Sequence, residues 1–362
     1  MMLKLSLWVA STLLLVSTTD AVENIMKKKA KKGGNNGKGT CVCVTQKISF
    51  ILMDLLVFVV NAHFVHPTFS SSLSPNKTDF GLRIIHVNDH HSNIEPDTFD
   101  IEIDSTFPES LQGLGEVSVH VGGWPLITAA IEEAVDEGYD MDYEVLKLHA
   151  GDAVTGTLFY SLFEGETDAS YMNAVCFDAF ALGNHEFDKG DEGLAKFLDF
   201  LDDKKNRKKC AKTPVLAANV VPGPNSPLVG RLLPYEIFEY KGLSVGVIGI
   251  DVRLKTLQSS FPDLETDVLD EVTVATAQIA ALKAEGVEII ILLTHVGLEF
   301  DLSTLATLPG VDVVVGGDSH TFMGYTTPVA IEEKSYEYPG EFSSKGSDAL
   351  SLPQSWRSDS LL

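Results

Sequence analysis

The stretch "AFALGNHEFDKG", residues 179–190, decides how this chain is to be read. It opens with a short apolar run of the kind that forms a buried strand. It then turns at Gly183 into Asn184, His185, Glu186 and Asp188. A buried strand ending on a carboxamide, an imidazole and two acids gathers ligand-type groups at one point. In open α/β sheets, ligands bind beyond the carboxyl ends of the strands. A lone Asp or His at such a place is more often a helix cap or a solvated group. The reading therefore depends on whether other strand ends repeat the pattern.

They do. Apolar runs recur at residues 82–87 (LRIIHV), 145–150 (VLKLHA), 214–219 (PVLAAN), 243–250 (LSVGVIGI), 287–293 (VEIIILL) and 311–317 (VDVVVGG). Helix-like stretches at 125–138, 191–203 and 270–286 alternate with them, the first and last closing on a glycine stop. This alternation predicts α/β construction. After the runs come Asn88, Asp89, His90 and His91; Gly151 and Asp152; Thr294 and His295; and Gly317, Asp318, Ser319 and His320. With Gly183–Asp188, five loops are expected to converge on one site. Gly151, Gly183 and Gly316–Gly317 permit the tight turns that aim their neighbours inward. Carboxylates, imidazoles and a carboxamide suit Zn, Mn or Fe better than a soft thiolate site does.

The bulk composition narrows the partners. The chain has 362 residues, 44% of them hydrophobic, enough for one large domain or two ordinary ones. Its formal net charge of -24 excludes a nucleic-acid polymer as the natural ligand. A small phosphorylated substrate stays compatible, because bound cations invert the local field. Cys41, Cys43, Cys176 and Cys210 show no zinc spacing and are read as incidental thiols, with Cys176 packed in the core.

Residues 1–21 have the layout of a secretory signal peptide, and Asn76–Thr78 is a glycosylation acceptor. A secreted, extracellular or periplasm-like location is expected. The alternative is anchoring through the N-terminal apolar segments. The run Ile48–Val60 falls short of the ~20 residues a spanning helix needs, so no firm membrane span is assigned. Residues 22–79 are expected to be a disordered or low-complexity segment around that run. Residues 80–342 form the folded domain, and 343–362 a Ser-rich tail with no fold of its own.

The ordered set Asp89-x-His91, Gly151–Asp152, Gly183–Glu186, Thr294–His295 and Gly317–His320 resembles the calcineurin-like metallophosphoesterases. The longer stretches "HVNDHHSNIEP", "HAGDAVTGTLF" and "ALGNHEFDKG" resemble the 5′-nucleotidase family among them, over roughly residues 80–335. The resemblance implies an αββα sandwich of two mixed sheets flanked by helices. It implies two divalent metal ions, one held by Asp89, His91, Asp152 and His320, the other by Asp152, Asn184, His295 and Asp318. Asp152 would bridge them. His185 would stabilise the transition state or protonate the leaving group, and Asp188 would hold its tautomer, unless Asp188 is simply a helix cap. Glu186 is read as a surface or outer acid. His90 should point away from the metals, and His86 and His149 should serve packing or outer-sphere roles.

The implied reaction is dinuclear metal-dependent hydrolysis of nucleotide phosphoesters, of 5′-nucleotidase or nucleotide pyrophosphatase type. It proceeds by in-line attack of a metal-bound hydroxide on a small phosphorylated substrate. Two departures stand out. Asp318 sits where many relatives have histidine, which makes the site more anionic. The pattern also fades after about Tyr338, without the C-terminal domain that grips the nucleoside in the family. A truncated, metal-binding but inactive module, or a broad-specificity phosphodiesterase, is therefore the alternative expectation.

Overall fold

The computed structural model describes residues 43–46, 58–66, 78–102, 116–205, 207 and 210–321. The first strands are β1 (Cys43–Gln46), β2 (Phe58–His66), β3 (Thr78–Val87), β4 (Asp97–Glu102), β5 (Glu116–Val121), β6 (Glu144–His149) and β7 (Ala179–Ala181). They are followed by β8 (Val215–Leu216), β9 (Val220–Val221), β10 (Tyr235–Tyr240), β11 (Leu243–Asp251), β12 (Asp267–Val268), β13 (Ile289–His295) and β14 (Val313–Val315). The helices are α1 (Trp124–Asp140), α2 (Leu158–Phe163), α3 (Glu166–Val175), α4 (Gly190–Asp202), α5 (Arg253–Ser259), α6 (Glu271–Glu285) and α7 (Leu298–Ser303).

Two mixed sheets carry the fold. One has six strands in the order β1-β2-β3-β6-β7-β8, the other four in the order β10-β11-β13-β14. Strands β3, β6, β7 and β8 run parallel, and β2 lies antiparallel beside β3. Strands β11, β13 and β14 run parallel, with β10 antiparallel at the edge.

Side-chain alternation sets the layers. Leu82 and Ile84 of β3 and Leu146 and Leu148 of β6 pack against Val245, Val247, Ile291 and Leu293 of the second sheet. The alternate residues Ile85 and Val87 face the other way, onto Ile127, Met172, Leu194 and Leu198 of the first helical layer. Beyond the second sheet, Ile248, Ile250, Ile290 and Leu292 meet Val274, Ile279 and Leu282 of α6. The architecture is the expected αββα sandwich. Strands buried on both faces read as continuous apolar runs, which is why β11 and β13 were legible.

Four local features differ from expectation. Gly138 is a packing position inside α1 rather than its stop: a Cβ there would come within 2.9 Å of Val145. Within residues 22–79, expected to be disordered or low-complexity, β1 and β2 pair as strands and β2 extends the six-stranded sheet along β3. Its β-branched and aromatic residues suit a pleated surface. The β4–β5 ribbon had no sequence signal strong enough to find. Finally, Cys176 and Cys210 are not incidental thiols. They form a disulfide with Cα atoms 5.4 Å apart, joining the half-buried end of α3 to the segment that leads into β8. Disulfide partners far apart in sequence cannot be deduced from spacing alone.

The expected signal peptide and the Ser-rich tail lie outside the described residues. Of the apolar run Ile48–Val60, residues 58–60 belong to β2 and the rest lie outside them. Among the described residues, no helix is long and apolar enough to cross a membrane.

Candidate metal centre

The parallel strands of both sheets end at one place. The loop after β3 is zipped to the loop after β6: Asp89 N donates to Gly151 O at 3.0 Å and His91 N to Asp152 O at 3.1 Å. Glu186 ties in the loop after β7. Its buried carboxylate accepts from Asp152 N at 2.9 Å, Ala153 N at 2.7 Å and Gly183 N at 2.7 Å. Of the two expected roles, Glu186 therefore takes the outer one: it braces the ligand-bearing loops from inside and is not on the surface. Burial and the Asp152 charge push its pKa up to about 8, against the pull of its backbone donors. The second sheet joins through Asp318, whose N–H donates to the Asp89 carboxylate at 3.0 Å.

Backbone strain marks the same residues. Asp89, His91, Asp152, Asp318 and His320 all hold φ between +44° and +79°, a region non-glycine residues seldom adopt. Such conformations cost on the order of 1–3 kcal/mol each and persist where surrounding contacts over-determine them, often at functional sites. Gly183 is required by close approach: a Cβ there would lie 2.3 Å from Asp152 Oδ1 and 2.7 Å from His295 Nε2.

The side chains converge. His295 Nε2 lies 3.0 Å from Asp152 Oδ2, 3.7 Å from Asp89 Oδ1 and 4.0 Å from Asp318 Oδ1. His320 Nε2 lies 3.2 Å from Asp89 Oδ1 and 3.3 Å from His91 Nε2. His91 Nε2 is 3.7 Å from Asp152 Oδ2. Two overlapping triads result, Asp89–His91–His320 and Asp89–Asp152–His295, and Asp152 also groups with His91 and His185. Asn184 is buried at the same turn, between Gly183, held by Glu186, and His185, whose N–H donates to Asp152 Oδ1 at 2.9 Å.

The donor set fits cations. His295 Nδ1 donates to the Ala150 carbonyl at 2.7 Å, which leaves Nε2 as the nitrogen that faces the carboxylates. Nε2 is buried without a hydrogen bond, although carboxylate oxygens surround it. Nε2 and the carboxylates can face one point only if a positive charge sits among them, either a proton on Nε2 or a bound cation that replaces it. Burial alone would lower the His295 pKa, but Asp152 and Asp89 outweigh it and hold it well above the usual imidazole value. Burial likewise opposes ionisation of Asp89, yet His295 and the bonds from His320 and Asn88 hold its pKa below the usual carboxylate value. Hard oxygens and imidazoles around shared carboxylates suit divalent metal ions.

His185 stands at the rim. It begins a 3₁₀ turn, His185–Phe187, whose three-residue period brings Asp188 onto the same side. His185 Nδ1 meets Asp188 Oδ2 at 2.7 Å, and Ser260 Oγ donates to Asp188 Oδ1 at 3.0 Å. The bond from Asp188 raises the His185 pKa to about 9. The helix that follows, α4, is preceded by Lys189 and has no side-chain cap, so Asp188 does not cap it.

Behind the centre, His90 points away from it as expected. Its Nδ1 lies 2.9 Å from His149 Nε2 and its Nε2 3.0 Å from Asp168 Oδ1, all three residues fully buried. Two partners had escaped sequence reading. Asp301 accepts from Thr294 Oγ1 at 2.8 Å, and burial pushes its pKa up to about 7. Lys255 Nζ lies 2.5 Å from Asp318 Oδ1. It reaches the centre from α5, a helix of 7 residues too short to leave a periodic signal.

Residues 82–322 match the calcineurin-like phosphoesterase family model. The NAD 5′-nucleotidase of Haemophilus influenzae is 38% identical over 276 residues, covering 76% of this chain and 42% of that protein. The 5′-nucleotidase of Homo sapiens is 35% identical, covering 71% of this chain and 41% of its own length. The solved structure of the Haemophilus influenzae NAD nucleotidase superposes with a TM-score of 0.57 at 39% identity, covering 67% of this chain and 43% of that one. The chain thus spans less than half the length of these relatives. A family match across most of the folded region, with relatives above 30% identity, settles the grouping: the chain belongs to the calcineurin-like phosphoesterases.

Proposed function

We propose that the chain hydrolyses nucleotide phosphoesters with two divalent metal ions, in the manner of 5′-nucleotidases or nucleotide pyrophosphatases. The observation that carries this reading is the buried Nε2 of His295, 3.0 Å from Asp152 Oδ2, inside a ring of carboxylates and imidazoles drawn from both sheets. The first ion would be held by Asp89, His91, Asp152 and His320, the second by Asp152, Asn184, His295 and Asp318. When bound, such a pair supplies Lewis acidity and lowers the pKa of water from 15.7 toward about 7.

The chain's own residues do the rest. Asp152 is held by the Glu186 brace through its N–H and by the His185 N–H through Oδ1, which fixes its carboxylate to serve as a ligand the two ions would share. Asp188 takes the Nδ1 side of His185, which leaves Nε2 as the working nitrogen, a donor to charge that develops on the phosphoryl group or the leaving oxygen. His295 is oriented by the Ala150 carbonyl, an outer contact that fixes its tautomer.

The nucleotide substrate is inferred from the names of the relatives, and it agrees with an acidic chain that relies on bound cations to attract a phosphate. We place the catalytic unit at residues 80–342, with β1 and β2 extending its first sheet. Export is favoured by the signal-like start and by the Cys176–Cys210 disulfide, since disulfides persist in oxidising compartments.

The test is phosphate release from AMP and from the AMP half of NAD by the full chain, with Mn or Zn added and with chelator. Metal-dependent release that disappears with chelator supports the reading. Metal binding without turnover on any phosphoester would sink it and leave a metal-binding module. Faster turnover of an aryl phosphodiester than of AMP would replace it with a broad phosphodiesterase.

A further inference from the structure

The Asp318–Lys255 pair places a lysine ammonium beside the proposed metal site. Lys255 Nζ is 2.5 Å from Asp318 Oδ1, and the same oxygen is 4.0 Å from His295 Nε2. That oxygen cannot serve an ammonium and a divalent ion together, because the two cations would stand within a few ångströms of each other. The backbone beneath Lys255 is anchored. Thr256 Oγ1 donates to the buried Asp251 at 2.9 Å, Arg253 Nε to Val268 O at 2.7 Å, and Arg253 N to Glu271 Oε1 at 2.8 Å. The lysine side chain itself is about half exposed. Its flexible four-carbon stem can therefore swing while α5 stays in place. One residue beyond α5, Ser260 bonds Asp188, so the rim that carries Lys255 also carries the His185–Asp188 pair.

We infer that Lys255 is an exchangeable counter-ion of this centre: it neutralises Asp318 when no metal is bound, yields that carboxylate to the incoming ion, and then holds a phosphoryl oxygen of the substrate. The inference rests on the metal-dependent reading above. It accounts for the extra carboxylate at this turn. Aspartate at position 318 adds a negative charge that a neutral histidine would not, and Lys255 balances it. A lysine ammonium is a compact point charge and a common phosphate binder. The exchange couples the two events, because metal binding liberates the group that grips the anion.

The test is a Mn titration of the chelator-stripped full chain, wild type against Lys255→Gln, followed by inorganic phosphate binding to the Mn-loaded proteins. Removing an internal competitor should tighten the weaker Mn site about five- to tenfold, by ~1–1.4 kcal/mol. The same variant should bind phosphate roughly tenfold more weakly, again ~1.4 kcal/mol. Lys255→Arg, which keeps the charge, should return Mn affinity to the wild-type value. Unchanged or weaker Mn binding in Lys255→Gln overturns the inference, since Lys255 would then merely support Asp318. Tighter Mn binding with unchanged phosphate affinity also overturns it, because no exchange would reach the substrate. If neither protein binds Mn, the hydrolase reading itself fails, a result distinct from either of these.

Discussion

The two halves of the centre are built differently. On the first sheet, the loops after β3, β6 and β7 are tied to one another by backbone bonds and by Glu186, which accepts from three N–H groups at once. On the second sheet, His295 is rigid at the end of β13, but the Asp318–His320 turn is held mainly through side chains. Asp318 leans on Asp89 and Lys255, and Ser319 Oγ accepts from Leu298 N at 3.2 Å. Bonds among backbone groups deep in a core leave little freedom. Bonds to long, half-exposed side chains leave more. The first half is thus a fixed seat and the second an adjustable clasp, and four substitutions probe that division.

The largest effect is expected at the carboxylate both halves share. Asp152→Asn removes the charge that faces His295 at 3.0 Å and His91 at 3.7 Å. Metal-dependent turnover should fall by about a thousandfold or more, ~4 kcal/mol of barrier, as read from kcat/KM with added Mn. Turnover within tenfold of wild type would break the claim that the shared carboxylate organises both halves.

The disulfide braces the fixed seat from outside. It closes a loop with a sequence separation of 34 between α3 and the approach to β8. Replacing Cys176 and Cys210 together by alanine should cost about 3–4 kcal/mol of stability on the loop-entropy account. Denaturant unfolding would measure it. Mn affinity should stay at the wild-type value, because the bond touches no proposed ligand. A large loss of Mn affinity would mean that the seat depends on its outer frame.

Glu186→Gln tests the brace directly. A glutamine keeps one acceptor oxygen but turns a donor toward N–H groups that now have a partner. Stability should fall by roughly 1–3 kcal/mol, the cost of buried unsatisfied polar groups. Metal affinity should drop about 10–100-fold, as it does when outer partners of metal ligands are lost. Calorimetric Mn binding to the folded variant would check this. Affinity equal to wild type would show that the loops hold their shape without Glu186.

Much of this division was legible in the sequence, and the reasons for the exceptions are physical. Long apolar runs gave the sandwich, because strands buried on both faces need them. Glycines beside ligand-type residues gave the five loops. The orientation of Glu186 was hidden: in the turn Asn184–Asp188 all but one residue is polar, and only the 3₁₀ geometry turns Asn184, Glu186 and Phe187 inward and His185 and Asp188 outward. Strand β2 was hidden because its apolar residues continue a run that also suits a membrane anchor. Lys255 and Asp318 stand 63 positions apart, and nothing local links them. The contacts missed, near or far in sequence, are those that turn geometry and tertiary packing bring together, where spacing carries no information.

The smallest effect is expected where the clasp meets the outer helix. Asp270 caps α6, its Oδ1 accepting from Thr273 N at 2.8 Å. Asp270→Ala should cost about 1 kcal/mol, the usual cost of losing an N-cap. Denaturant unfolding of the metal-loaded chain would measure it. Helix α6 packs Val274, Ile279 and Leu282 against Ile290 and Leu292 of β13, the strand that ends at His295. If the clasp gains its freedom only from the Asp318–His320 turn, loosening α6 leaves Mn affinity unchanged, since β13 stays locked between two sheet neighbours. A fall in Mn affinity along with stability would relocate the freedom to β13 itself, and His295 would no longer count as the rigid member of its half.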